Sequence, residues 1–192
     1  MTSDVPQHLV GGLNVAILAA PGAPGAPVQA IRAGLEELGA NVVVIALAPG
    51  TGGGQAIGDA DPEAYDGVVI APGQPGAGRL QASDAMRQFI RRLHEERKPI
   101  GAIGEGVLVL LAAVTAGAQR VSVAAAWHAE ARQAGAVPVE TPCCTDGHWV
   151  TAADGTEPAE FLAALKQLLA ARRLDSFATA SDNLPSSVGE DG

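Results

Sequence analysis

The stretch that most constrains this chain spans residues 98–116, Lys-Pro-Ile-Gly-Ala-Ile-Gly-Glu-Gly-Val-Leu-Val-Leu-Leu-Ala-Ala-Val-Thr-Ala. A short apolar run, 99–103, is cut by Gly104-Glu105-Gly106 and followed by a longer apolar run, 107–116. The spacing predicts a buried strand, a tight corner and a buried helix. That is the geometry of a nucleophile elbow, which lifts one residue above the carboxyl edge of a sheet, in front of a helix N-terminus. Such a corner ordinarily carries Ser or Cys, but here its positions hold Gly104 and Glu105. The sequence points to an active-site scaffold without its nucleophile.

The rest of the chain reads as the sheet around that corner. Residues 13–19 and Asn41–Ala46 are short apolar runs consistent with strands buried on both faces. Between them, Val28, Ile31, Leu35 and Leu38 repeat at a helical period, and Gly39 fits the residue just past the helix end. A strand, helix and strand joined by short loops are the mark of a parallel sheet. A third strand is expected at 66–71. An amphipathic helix follows at 82–96, with Met86, Phe89, Ile90 and Leu93 on one stripe. The corner's own strand is the fourth, so the fold class is a single α/β domain, a flavodoxin-like doubly wound sheet with helices on both faces.

Past the corner, 121–123 reads as a short strand and 124–134 as an alanine-rich helix. Val137–Val139 and 148–151 read as an antiparallel pair around 143–147. The last helix is expected at 156–173, with Thr156 as N-cap, Pro158 early, and Phe161, Leu162, Leu165, Leu168 and Leu169 buried. The expected organisation is an arm at 1–12, a domain at 13–173 and a disordered tail at 174–192, rich in Ser, Asp and Gly. The Gly-Thr-Gly-Gly-Gly-Gln run at 50–55 lacks the Gly-Lys-Ser/Thr ending of a phosphate loop and reads as a surface loop.

Charge and cysteine content narrow the function. With 21 acidic and 12 basic residues the formal net charge is −9, the reverse of what a nucleic-acid binder needs. No apolar run reaches the ~20 residues of a membrane span, and 1–7 lacks the basic region of a signal peptide. Neither nucleic acid nor membrane is expected as a partner, and the expected compartment is the cytoplasm. The two cysteines, Cys143 and Cys144, are adjacent and cannot staple distant parts of the chain, which fits a reducing compartment. Their spacing is also wrong for tetrahedral zinc with Asp146 and His148, so no metal and no cofactor are expected.

Together these motifs resemble the ThiJ/PfpI superfamily, related to the class I glutamine amidotransferase domain. The resemblance rests on the first strand-helix-strand unit, Tyr65-Asp-Gly-Val-Val-Ile-Ala-Pro-Gly73, the corner at 98–106, and Asp146-Gly-His-Trp-Val-Thr151 before the last helix. It implies a Cys nucleophile at the corner followed by His, a Glu after the first strand, and an oxyanion loop reading Pro-Gly-Gly. Here Gly104 and Glu105 stand at the first two positions. No carboxylate lies between Asp4 and Glu36, and the loop reads Pro72-Gly73-Gln74. Gly-Glu-Gly at the corner, with a Pro-Gly-Ala-Pro-Gly loop after the first strand, is most similar to the C-terminal domain of large-subunit catalases. In that branch the domain is appended to a haem-binding domain and has no established catalytic residues.

The resemblance implies no catalytic residue at Gly104, Glu105, Gly106, Gly73 or Gln74. It implies a structural, oligomer-stabilising or chaperone-like role, with a second copy, a haem-catalase domain or unfolded clients as partners. A small-molecule hydrolase or glyoxalase-like enzyme using Glu105 is the alternative. It requires Glu105 to face a closed pocket, where a carboxylate serves as a base; otherwise Glu105 is a helix-start carboxylate favoured by the dipole. A third reading is a thiol redox sensor, which requires Cys143 or Cys144 to be exposed.

Overall fold

The structure is a computed structural model, and it describes residues 10–19, 26–47, 54–71, 77–154 and 158–182. Nine strands and six α-helices follow one another along the chain: β1 (Asn14–Leu18), α1 (Ala26–Glu37), β2 (Asn41–Ala46), β3 (Gln55–Ala56), β4 (Gly67–Ile70), α2 (Ala77–Ala82), α3 (Asp84–Glu95), β5 (Ile100–Ile103), α4 (Gly106–Ala113), β6 (Arg120–Ser122), α5 (His128–Gln133), β7 (Val137–Val139), β8 (Cys143–Asp146), β9 (Trp149–Ala152) and α6 (Pro158–Asp182). Seven strands form one sheet in the order β3-β2-β1-β4-β5-β9-β8. All neighbours in it run parallel except β8, which pairs antiparallel with β9.

Alternation along the central strands explains why both faces must be covered. Successive side chains of a strand point to opposite faces. Ala16, Leu18, Val68, Ile70, Ile100, Ala102 and Trp149 pack with α3 and α4 on one side. Val15, Ile17, Val69, Ile103 and Val150 pack with α1 and α6 on the other. Most of the expected helix stripes are buried: Val28, Ile31 and Leu35 on α1, Met86, Phe89, Ile90 and Leu93 on α3, and Phe161, Leu165 and Leu169 on α6. Leu38, Leu162 and Leu168 are only half-buried, at the edge of the core. Each fully buried side chain contributes about 1.5–3 kcal/mol. The flavodoxin-like doubly wound sheet expected from the sequence is the observed architecture. Gly39 ends α1 at φ +83°, and the Ala40 amide reaches back to the Leu35 carbonyl at 3.1 Å.

Several local expectations are corrected. The helix expected at 82–96 is present as α3, Asp84–Glu95, whose start is set by Ser83, extended and with its Oγ accepting from the Met86 amide at 3.3 Å. The short α2, Ala77–Ala82, precedes it as an element beyond those expected. Val137–Val139 pairs parallel with β6 in a separate two-stranded sheet; the antiparallel partner of β9 is β8. Residues 124–134 are a single 3-10 turn, Ala125–Trp127, followed by the short α5. Gln55, expected in a loop, belongs to edge strand β3. Helix α6 continues to Asp182, past the boundary expected at Arg173. Val10, expected in a loose arm, is fully buried, and the Gly12 amide bonds the Gly39 carbonyl at 2.8 Å. Among the described residues no helix is long and apolar enough to cross a membrane.

Candidate functional site: a glycine corner at the sheet edge

The corner after β5 has the expected form. Gly104 takes φ +56°, in the left-handed region that costs a side-chain-bearing residue about 1–3 kcal/mol. Its amide is tied to the Ala152 carbonyl of β9 at 2.9 Å, and its carbonyl accepts from the Val107 amide at 3.1 Å, which starts α4. Gly106 has a different reason to be glycine. A Cβ there would lie 2.4 Å from the Ile70 carbonyl oxygen, because α4 leaves the corner pressed against β4. Position 104 thus fixes the turn and position 106 fixes the close approach of helix to sheet, as an elbow requires. What is missing is a side chain on residue 104.

Glu105 sits between them in ordinary helical conformation, φ −65° and ψ −17°, half-buried, and its carboxylate does not cap α4. The backbone carbonyl of Glu105 accepts from the Leu108 and Val109 amides at 3.0 and 3.3 Å, so the residue is part of the first helical turn. Gly73 and Gln74 lie outside the described residues, as do Thr156 and the loop at 20–25.

Cys143 and Cys144 do not form a reactive pair. Cys143 and Ile103 flank Ala152 on opposite sides in the sheet register, which places Cys143 level with the corner but two strand spacings away, about 10 Å. Its side chain is half-buried against the α1–α6 layer. Burial, with Glu160 and Cys144 nearby, pushes its thiol up to about 11. Cys144 is buried, its Sγ lies 3.8 Å from the Arg120 carbonyl, and burial raises its pKa too. A thiol nucleophile acts as thiolate, so neither cysteine has the exposed, low-pKa setting of a redox sensor. In a Cys144→Ala variant, iodoacetamide should alkylate Cys143 at least about tenfold more slowly at neutral pH than it alkylates the urea-unfolded chain, since burial, the largest cause of its raised pKa, remains. Equal rates in the two states would refute the account.

The remaining candidates separate rather than converge. The Asp146 carboxylate accepts from the Arg120 amide at 2.8 Å, holding β6 beside β8. His128 Nε2 lies 3.2 Å from the Val123 carbonyl. His148, grouped in the sequence with the cysteines, turns away to contact His94, 54 positions earlier. Among the described residues no three His, Cys, Asp or Glu side chains gather to hold a metal. The His94–His148 contact has no signal in local sequence; only the folded register brings α3 and the turn after β8 together.

Comparison with known proteins places this corner in context. The DJ-1/PfpI family model matches residues 15–168. The chain is similar in structure to a two-domain protein from Anabaena variabilis ATCC 29413 containing DJ-1/ThiJ/PfpI-like and ferritin-like domains, with TM-score 0.72 and 24% identity over 81% of this chain. It spans about half, 48%, of that protein's length. It is also similar to oxidized DJ-1 of Toxoplasma gondii, with TM-score 0.70 and 22% identity over 88% of this chain and 98% of the other. Drosophila melanogaster DJ-1beta superposes with TM-score 0.72 and 17% identity, over 88% and 97% of the two chains. At these identities the likeness speaks for fold alone. No curated protein matches the chain. The family match covers the sheet from β1 to the final helix, corner included, and on that ground the chain belongs to the DJ-1/PfpI family.

Proposed function

We propose that this chain is a non-catalytic member of its family, a scaffold domain whose role is to hold an assembly together. The observation that carries this reading is Gly104: the left-handed corner is kept, and the residue occupying it has no side chain to attack a substrate. Strain at such a corner is ordinarily sustained for function; glycine removes strain and nucleophile together. The carboxylate and the His that would support a thiol there are absent from the sequence as well. The pattern Gly104-Glu105-Gly106 further supports a role like that of the C-terminal domain of a large-subunit catalase, where the domain stabilises an oligomer.

A chaperone-like role has less behind it. Val137 and Leu174, at 47% and 51% exposure, are the large apolar side chains that the described surface exposes, whereas apolar binding patches span several hundred Å². The competing reading, a carboxylate enzyme, rests on the half-buried Glu105 beside the corner. Light scattering coupled to gel filtration tests the scaffold role: a homodimer or larger species is expected at micromolar concentration. A strict monomer throughout that range would argue against self-assembly as the function.

A further inference from the structure

We propose that His94 and His148 form an acid-sensitive clasp that fastens the C-terminal end of α3 to the turn between β8 and β9. Trp149 is fully buried, and its indole N–H can only donate. Trp149 Nε1 lies 3.3 Å from His94 Nδ1, so that nitrogen is the acceptor and carries no proton. His148 Nε2 lies 2.9 Å from the same nitrogen and must therefore be the N–H partner. The tautomers of both rings follow: His94 is neutral with its proton on Nε2, and His148 holds a proton on Nε2. The three rings also pack together at tilted and edge-on angles, with the His94 centroid 4.8 Å from that of His148 and 5.4 Å from that of Trp149.

The clasp closes one end of the sheet. His148 follows Gly147 in the β8–β9 turn, and its carbonyl accepts from the Ile100 amide at 2.9 Å, at the start of β5. Edge strand β8 is itself held by its ladder to β9 and by Asp146 to β6, and the clasp adds a tie from the turn to α3. Adding a proton to His94 Nδ1 would take away the acceptor of the buried Trp149 N–H and force His148 to shift its own proton from Nε2 to Nδ1. Adding one instead to His148 Nδ1 would place a cation beside Arg97, just past α3, and Arg172 on α6. The one opposing charge is Glu95 on α3, which favours a protonated His94 but is exposed. Burial, the neighbouring His94 ring and the two arginines hold His148 down at about 4, and burial lowers His94 as well. Protons can still arrive, because His94 lines a cavity of about 620 Å³ between α3, α4 and α5.

The sign follows directly. Both histidines take protons near 6.5 when unfolded but resist them when folded, so the clasp's contribution is complete above that pH and is lost as pH falls towards 4. The test is Trp149 emission in a Trp127→Phe background, titrated from pH 8 to 3.5 in the presence and absence of His94→Asn. Asparagine offers a carbonyl near the Nδ1 position but does not titrate. The expected result is a red shift in the parent between pH 6.5 and 4, its amplitude cut by about half or more in His94→Asn, where the ring bonded to the Trp149 indole no longer titrates. An unchanged amplitude would overturn the proposal. If His94→Asn fails to fold, ¹⁵N NMR of the parent's histidine rings decides: an unprotonated His94 Nδ1 at neutral pH supports the clasp, and a protonated one refutes it.

Discussion

Replacing Gly106 with alanine is expected to destabilise the domain by about 2–3 kcal/mol, towards the upper end of what overpacking costs. The added methyl would stand 2.4 Å from the Ile70 oxygen, 3.1 Å from its carbonyl carbon and 3.2 Å from its Cγ2. The nearest of these atoms belong to the backbone of β4, which is hydrogen-bonded into the sheet between β1 and β5. Relief therefore requires α4 to lift away from the sheet, opening contacts made by Val107, Leu110 and Leu111. The gain in helix propensity from alanine, up to about 1 kcal/mol, offsets part of this. Gly58→Ala is the control, since nothing lies within 4 Å of its Cβ and its φ is not positive. Thermal denaturation should separate the two, with Tm falling by roughly 4–12 °C for the first and hardly at all for the second.

Phe161→Ala should cost more, about 3–5 kcal/mol. The ring is 1% exposed and lies in the layer between α6 and the sheet. Its Cζ stands 2.6 Å from where a Cβ on Gly101 would be, so the ring rests directly on the backbone of β5. Truncation leaves a void against the middle of the sheet that neither α6 nor β5 closes without losing its other contacts. The same geometry makes the two positions interdependent. Gly101→Ala alone drives a methyl into the ring, whereas paired with Phe161→Leu it has room. A double-mutant cycle should return a coupling of about 1 kcal/mol or more, the double variant being more stable than the sum of the singles allows. Strict additivity would mean that the ring does not sit on Gly101.

The parts of this fold legible in the sequence were those governed by short-range pattern. The apolar runs of β1, β2, β4 and β5, the stripes of α1 and α3, and the glycine corner follow from burial periodicity and left-handed turn chemistry, and the structure keeps them. The misreadings arose where a tertiary choice decided. Val137–Val139 can pair with whatever strand lies beside it, and contact with β6 decided that. Helix α6 runs past Arg173 because a helix already anchored by Phe161, Leu165 and Leu169 extends at low cost, even through polar residues. The corner itself could be read as vacant from Gly104 alone. The clasp could not, since His94 and His148 belong to different elements and meet only through the register of β9 on β5.

The central claim is that the corner after β5 keeps the shape of an active site without its chemistry. The direct measurement is turnover by the purified chain against methylglyoxal, an activated ester and a short peptide, alongside the Glu105→Gln variant. The account requires both proteins to match the buffer blank. Turnover by the parent that Glu105→Gln abolishes would contradict it and make Glu105 a catalytic base.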